Sequence, residues 1–336
     1  MKPTIRTRCH VRIRRREAGV TLVELMVALV LGLLIAAAAV AALIVGRQGF
    51  TSVDSSTQLR ENARFAASLI ERIAVQAGFE NPSYGQFPAS KIPGLRGFNN
   101  ALVSAGTLPD GLAHGSRTSG NCGVSDTSCM NGSDVLTVRF WGASRAGVAD
   151  GTMINCAGVP EPEAPEAQGP AISVFHVVRG TDGEPTLACS YRNPTTLAWD
   201  TIALVKGVEA FQVLYGTDGV TPNVCAADVT TGADSVAERY LPAPQLDGAT
   251  GTYCENNWAR VRSVRIGFLV RGPVGSAAVR VAKTWQVLSG TAAAYSFVDA
   301  TNDPGSSLAV PADGRLRQQM VFTVHLRNAQ HEYAAP

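Results

Sequence analysis

Between Val20 and Val45 the chain runs for 26 residues with only three that are not apolar, Thr21, Glu24 and Gly32, before Arg47 closes the run. Coiled as a helix, such a run is long enough to cross a bilayer. It also exceeds the apolar core of an ordinary secretory signal, roughly 7 to 15 residues, although the Ala36 to Ala42 stretch offers small residues of the kind a signal peptidase accepts. Ahead of it lie seven basic groups, Lys2, Arg6, Arg8, Arg12, Arg14, Arg15 and Arg16, against one acid, Glu17. A basic flank of this kind is held in the cytoplasm, so everything beyond about residue 47 is expected outside it. The whole chain carries a formal charge of +2, and without residues 1–19 the balance is 22 basic to 26 acidic groups, or −4. A dedicated nucleic-acid binder needs a basic body, so no direct nucleic-acid binding is expected.

Glu24 does not fit a plain anchor. An ionisable group within an apolar span is expensive and marks a function or a specific partner. The segment Ala18-Gly19-Val20-Thr21-Leu22-Val23-Glu24-Leu25-Met26-Val27-Ala28-Leu29 resembles the class III signal of type IV pilins and pseudopilins. The resemblance implies a basic leader, residues 1–19, that a prepilin peptidase removes between Gly19 and Val20. The same peptidase would methylate the new N-terminus at Val20. Glu24 then stands fifth in the mature chain, where the family has its assembly glutamate, and its implied role is to pair with the N-terminal amine of a neighbouring subunit. A buried carboxylate costs several kcal/mol unless a cation offsets it, which fits such a pairing. Val20 departs from the Phe that the family usually has there.

The pattern predicts a helix from Val20 to about Ala77. From Phe50 onward there is no Pro until Pro82, and Leu59, Ala63, Ala66, Ile70, Ile73 and Ala77 recur at spacings of three and four, giving one apolar stripe. Gln58, Arg60, Glu61, Arg64, Glu71, Arg72 and Gln76 are expected largely off that stripe. Gly78 is the expected stop, and Gly32, Gly46 and Gly49 are weak points. Beyond residue 80, strands are expected over 135–140, 171–179, 184–192, 200–215 with a break near Gly207, 262–270 and 322–326, and less clearly over 278–288. Long loops are expected over 80–133, 142–170, 216–257 and 290–314. The fold class is therefore α+β, a long N-terminal helix over residues 20–78, with 20–45 as transmembrane or filament core. An antiparallel β-rich extracytoplasmic head follows over residues 79–336.

Several segments narrow the resemblance. Arg60-Glu61-Asn62-Ala63-Arg64-Phe65-Ala66, Gly132 to Arg139, Leu204 to Gly216, Val261 to Arg271 and Phe322 to Asn328 look like the PilW family of minor pilins. That resemblance implies a pilin-like fold and a part in type IV pilus assembly, in a priming or tip complex, with twitching motility, adhesion or DNA uptake downstream. The implied partners are the prepilin peptidase, other minor pilins and the major pilin, a tip adhesin, the inner-membrane assembly platform and the membrane itself. Two rival readings share the leader: a type II secretion pseudopilin, and a membrane-anchored periplasmic binding or hydrolytic domain.

Of seven cysteines, Cys9 lies in the leader and six lie beyond it. An even set in an oxidising compartment reads as disulfides. Many pairings are open, and proximity in sequence favours Cys122 with Cys129, Cys156 with Cys189, and Cys225 with Cys254. No C-x-x-C pair is present, so metal ligation is not expected. The chain has no H-E-x-x-H, G-x-x-x-x-G-K-[ST] or G-x-G-x-x-G. Gly142-Ala143-Ser144-Arg145-Ala146 misses the nucleophile elbow by its last residue. No catalytic residue, cofactor or metal is assigned, and no enzymatic activity is expected. Asp299 to Asp303 offers oxygens of the kind Ca²⁺ takes, but a solvated turn is the simpler expectation. Pro160 to Glu166 is expected as an exposed extended loop, and His176, Trp199, Trp258 and Trp285 as core or interface residues.

Overall fold

A computed structural model describes residues 19–80, 93–101, 103, 130–163, 169–229, 232–249, 251–277, 279–289, 297 and 303–328. The chain divides into two compact units, Met1–Thr51 and Ser52–Pro336. In the first unit, the described residues from Leu22 onward are helical and their side chains point outward: Leu22, Leu29, Leu33, Ile35 and Val45 are each at least 66% exposed. The helix, α1, bears the bounds Leu22–Ala74. Gly32, Gly46 and Gly49 lie inside it with open space where a Cβ would stand.

In the second unit the predicted stripe packs as expected. Leu59, Ala63, Ala66, Ile70, Ile73 and Ala77 are all buried, because their spacing keeps them on one helix face. Gln76, expected off the stripe, is instead buried. Its amide donates to the Ile154 carbonyl at 3.1 Å and accepts from the Ile154 amide at 2.9 Å, so a polar side chain in an apolar place is satisfied on both sides. α1 ends three residues before the expected Ala77. The chain tightens through bonds from Gln76 to Ile73 and from Ala77 to Ala74, and Gly78 then takes a φ of 71°.

Thirteen strands follow among the described residues, numbered in chain order: β1 (Leu95–Phe98), β2 (Val135–Phe140), β3 (Ser144–Arg145), β4 (Val148–Ala149), β5 (Ala171–Arg179), β6 (Pro185–Arg192), β7 (Trp199–Lys206), β8 (Val208–Thr217), β9 (Arg239–Leu241), β10 (Val261–Arg271), β11 (Lys283–Gln286), β12 (Ser307–Val310) and β13 (Arg317–His325). Every pairing among them is antiparallel. One sheet has the order β1-β2-β5-β6-β7 and a second the order β13-β10-β8-β9. The fold is thus a long N-terminal helix followed by an antiparallel sheet head. One apolar core unites the α1 stripe with Phe140, Phe175 and Leu187 of the first sheet and Phe211, Phe268 and Val324 of the second.

The chain passes from the first sheet to the second at Gly207, where the sequence predicts a break. Gly207 has a φ of 86°, its amide donates to the Pro185 carbonyl at 2.7 Å, and its carbonyl accepts from the Arg271 amide at 2.7 Å. One residue therefore ties β6 of one sheet to β10 of the other.

The loop expectations need correction. Residues 80–133 contain β1, and 142–170 contain the β3–β4 hairpin. Residues 216–257 contain β9 and the short helix α2 (Ala243–Leu246), and a second short helix, α3 (Glu255–Ala259), begins there; 290–314 contains β12. Each is too short to show a period in sequence. The expected strand over 278–288 shortens to β11, paired with β12.

Candidate functional site

The first helical turn is built by two side chains. Thr21 precedes α1, and the Glu24 amide donates to Thr21 Oγ1 at 3.2 Å; in return Glu24 Oε2 accepts from the Thr21 amide and from Thr21 Oγ1, both at 3.2 Å. This is a capping box, in which two otherwise orphan backbone donors at a helix start are satisfied reciprocally. The carboxylate also lies at the positive end of the helix dipole. Among the described residues Glu24 Oε1 takes no hydrogen bond from the chain, so it is available to a donor from outside. Gly19 and Val20 stand exposed immediately before. A helix from Leu22 to Ala74 whose first part is apolar and outward-facing passes the length and composition test for a membrane span.

In the head, Cys156 is joined to Cys189 and Cys225 to Cys254, across separations of 33 and 29 residues. By closing loops of this length, each bridge is worth about 3 to 4 kcal/mol. Cys122 and Cys129 lie outside the described residues. The first bridge fastens the loop after β4 to β6, beside the Gln76–Ile154 pairing. The second closes the segment that carries α2.

A cluster around Arg96 holds that segment against the first sheet. Arg96 donates to both carboxylate oxygens of Asp247 at 2.8 and 2.9 Å, and the Trp258 indole donates to Asp247 Oδ1 at 2.9 Å. The guanidinium lies 4.3 Å from the Tyr253 ring centre and 4.7 Å from that of Trp258. Trp258 is thereby a core residue, as expected, whereas Arg96 is a charge buried inside a strand and escapes any apolar pattern.

The remaining sequence candidates resolve into structure. Ser144, the middle of the near-miss elbow, sits in the β3–β4 hairpin and accepts from the Glu163 amide at 2.8 Å. A turn and then β4 come directly after it, where a nucleophile elbow leads into a helix. His176 is buried in β5 and hydrogen-bonded to Ser190 Oγ at 2.9 Å, and burial pulls its pKa down to about 4. Trp199 and Trp285 are half-buried. Of the Asp299 to Asp303 run, only Asp303 lies among the described residues, and it is buried, not a solvated turn residue. Of Pro160 to Glu166, residues 164–166 lie outside the described set; Glu161, expected exposed, is buried with Asn155 Nδ2 donating to its carboxylate at 2.7 Å.

Burial pushes the Glu161 carboxyl up to about 7, against the Asn155 hydrogen bond and the Arg192 charge. A raised acid contributes stability below its unfolded pKa, about 4.5, and loses it as pH rises toward 7. Relative to Glu161→Gln, the wild-type head is therefore expected to lose about 2 kcal/mol between pH 4.5 and 7, after partial solvent screening is allowed for. Urea unfolding of both proteins across that range checks it; a pH-independent difference between them contradicts it.

Comparison with known proteins gives the chain its relatives. Residues 174–328 match the family model of the type IV pilus-assembly protein W, PilW, and residues 14–40 match the prokaryotic N-terminal methylation motif. The family resemblance and the class III leader read from the sequence are borne out by these two matches. A type IV-like pilin from Thermus thermophilus is similar in structure at 13% identity with a TM-score of 0.39, over 81% of this chain and 98% of its own. No curated protein matches the chain.

Proposed function

With residues 174–328 matching a pilus-assembly family and residues 14–40 a methylation motif, we infer that the chain is a minor pilin that takes part in type IV pilus assembly. The observation that carries this reading is the presence of both signatures in one chain, in the order that assembly requires: a leader and an apolar helix first, the head second. In this reading residues 1–19 are the leader, cut between Gly19 and Val20 by a prepilin peptidase that methylates Val20. Residues 20–78 form the pilin helix, with 20–45 held in the inner membrane until extraction and in the filament core afterwards. Residues 79–336 form the extracytoplasmic head, which presents loops to other minor pilins.

Glu24 acts at assembly. Its capping box with Thr21 fixes the carboxylate one residue from the new N-terminus, and Oε1 remains for the amine of a neighbouring subunit. In lipid an unpaired carboxylate costs several kcal/mol, so contact with that amine favours subunits in register. The subunit's place is a priming or tip complex with other minor pilins, the major pilin, a tip adhesin and the inner-membrane platform, and the role is structural and not catalytic.

The test is the yield of sheared surface pili from a strain lacking the gene, with secretion of a type II substrate scored in the same cultures. Loss of pili with normal secretion is expected. Normal pili with failed secretion would move the protein to the secretion pseudopilins, and no change in either would favour an anchored binding domain.

A further inference from the structure

The two described bridges of the head differ in what surrounds them. Cys156 and Cys189 are 2% and 0% exposed, and Cys189 lies inside β6, paired on one side with β5 and on the other with β7. Cys254 is buried as well, at 3%, but its partner Cys225 is exposed. Of these four residues, one meets solvent.

The chain around Cys225 has little apolar hold. Residues 221–229 lie between β8 and β9, and none of them is buried; Val224, next to the bridge, is 56% exposed. A segment that buries no apolar side chain gains little from the hydrophobic effect, so its attachment is polar. The Asn223 amide donates to the Gln245 carbonyl at 2.8 Å, and the Ala226 amide to Asn257 Oδ1 at 2.9 Å. Asn257 Nδ2 donates to the Val224 carbonyl at 2.8 Å, Asn256 Nδ2 to that of Ala226 at 2.9 Å, and Arg260 to that of Asp228 at 2.9 Å. Opening exchanges such bonds for bonds to water, at a small net cost for each. The covalent tie is therefore what keeps the segment closed on α3, and segments of this kind open at far lower free energy than a core does.

The wall behind the segment is of the opposite kind. Leu246 and Trp258 belong to the main apolar core, and Asp247 is fixed by Arg96 and the Trp258 indole. Farther along the chain, Asp218 accepts from the amides of Asp234 and Ser235 at 3.0 and 2.9 Å, an anchor independent of the bridge.

We propose that Cys225 is the point at which an external dithiol exchanges with the head, and that this exchange releases residues 221–229 while the rest of the head stays folded. A thiolate of the dithiol attacks Cys225 Sγ, the S–S bond breaks, and Cys254 leaves as the thiolate with the electron pair. The second thiolate of the dithiol then attacks its own sulfur in the mixed disulfide, and Cys225 leaves in turn. Two electrons pass from the dithiol, which becomes a disulfide, and its two protons end on Cys225 and Cys254. The Thr252 carbonyl, 3.5 Å from Cys254 Sγ, is placed to accept from the new thiol. The Cys156–Cys189 bridge is closed to the same reaction, because an attacking thiolate needs access to a sulfur and both residues are shielded.

The test treats the full chain in detergent micelles with dithiothreitol under native conditions. Samples are quenched with acid at intervals and mapped by isotope-coded alkylation and mass spectrometry. The Cys225–Cys254 bridge is expected to be lost at least about a hundredfold faster than Cys156–Cys189, since access governs the exchange. With glutathione, a monothiol, the trapped adduct is expected on Cys225 with a free thiol at Cys254. After reduction, hydrogen exchange is expected to show lost protection at the Asn223 and Ala226 amides, with Asp234, Ser235, β8 and β10 unchanged. Cys225→Ser combined with Cys254→Ser is expected to give the same pattern without reductant; should that variant fail to fold, the reduced wild type decides. Equal rates for the two bridges, or an adduct on Cys254, would overturn Cys225 as the point of entry. Protection at Asn223 and Ala226 that survives reduction, or loss that spreads through β8 and β10, would overturn the release.

Discussion

Gly19→Val is expected to leave the leader on the chain and to reduce surface pili to the level of a strain lacking the gene. The expectation rests on two observations. Gly19 falls inside the methylation motif matched over residues 14–40, and a Cβ built on it meets nothing within 4 Å. The substitution therefore disturbs no contact in the chain itself, and any effect must come from a molecule that reads the site from outside. If the chain is cut after Gly19 as proposed, a β-branched side chain beside that peptide crowds a position where glycine leaves the backbone bare. Intact-mass measurement decides: the wild type is expected to begin at a methylated Val20, and the variant to retain all 336 residues. A variant processed at the wild-type rate would remove Gly19 from the cleavage site and leave the assembly role without its first step.

The second large effect is expected at Gly207. A Val there must hold a φ of 86°, a region that costs a non-glycine residue about 1 to 3 kcal/mol, more when it is β-branched. Its Cβ would also run into the Arg271 carbonyl, which is backbone of the central strand β10 and cannot step aside. Together these are expected to remove about 4 kcal/mol or more, a large share of the 5 to 15 kcal/mol that stabilises a typical domain. The midpoint of urea unfolding, read for the full chain in micelles, should fall sharply for Gly207→Val and less for Gly207→Ala. Equal midpoints for wild type and Val would mean that the crossing between the sheets tolerates a different backbone path.

Both effects sit at glycines that the sequence marks, one by its place behind a basic leader and one by interrupting an alternating run. Periodicity served equally well for the α1 stripe, where a spacing of three and four maps directly onto a buried face. It failed where burial is achieved by pairing instead of by apolar character. Gln76 is buried because the Ile154 backbone offers it both a donor and an acceptor, and Arg96 because Asp247 and three aromatic rings surround it. Glu161 is buried against Asn155, six residues earlier, in a stretch whose prolines read as exposed. These partners lie far away in sequence or in segments without a repeat, so no local window contains the reason for the burial. The short strands β1, β9 and β12 were illegible for a related cause. At three or four residues each, β1 and β9 exist because the longer strands β2 and β8 offer an edge, and β12 because the equally short β11 pairs with it.

Asn328 extends this dependence on distant partners into time. Its side-chain amide reaches the carbonyls of Val75, Gln76 and Ala77 at 3.2 to 3.4 Å, across 251 to 253 residues of chain. It lies three residues beyond the end of β13, which pairs with the central strand β10 along nine residues. The end of the first helix is thus closed by the last described residue. A chain emerging from its N-terminus makes that helix early and its cap last, and contacts of such long range form slowly. The end of that helix therefore stays open until Asn328 itself has been made and β13 has found its place beside β10.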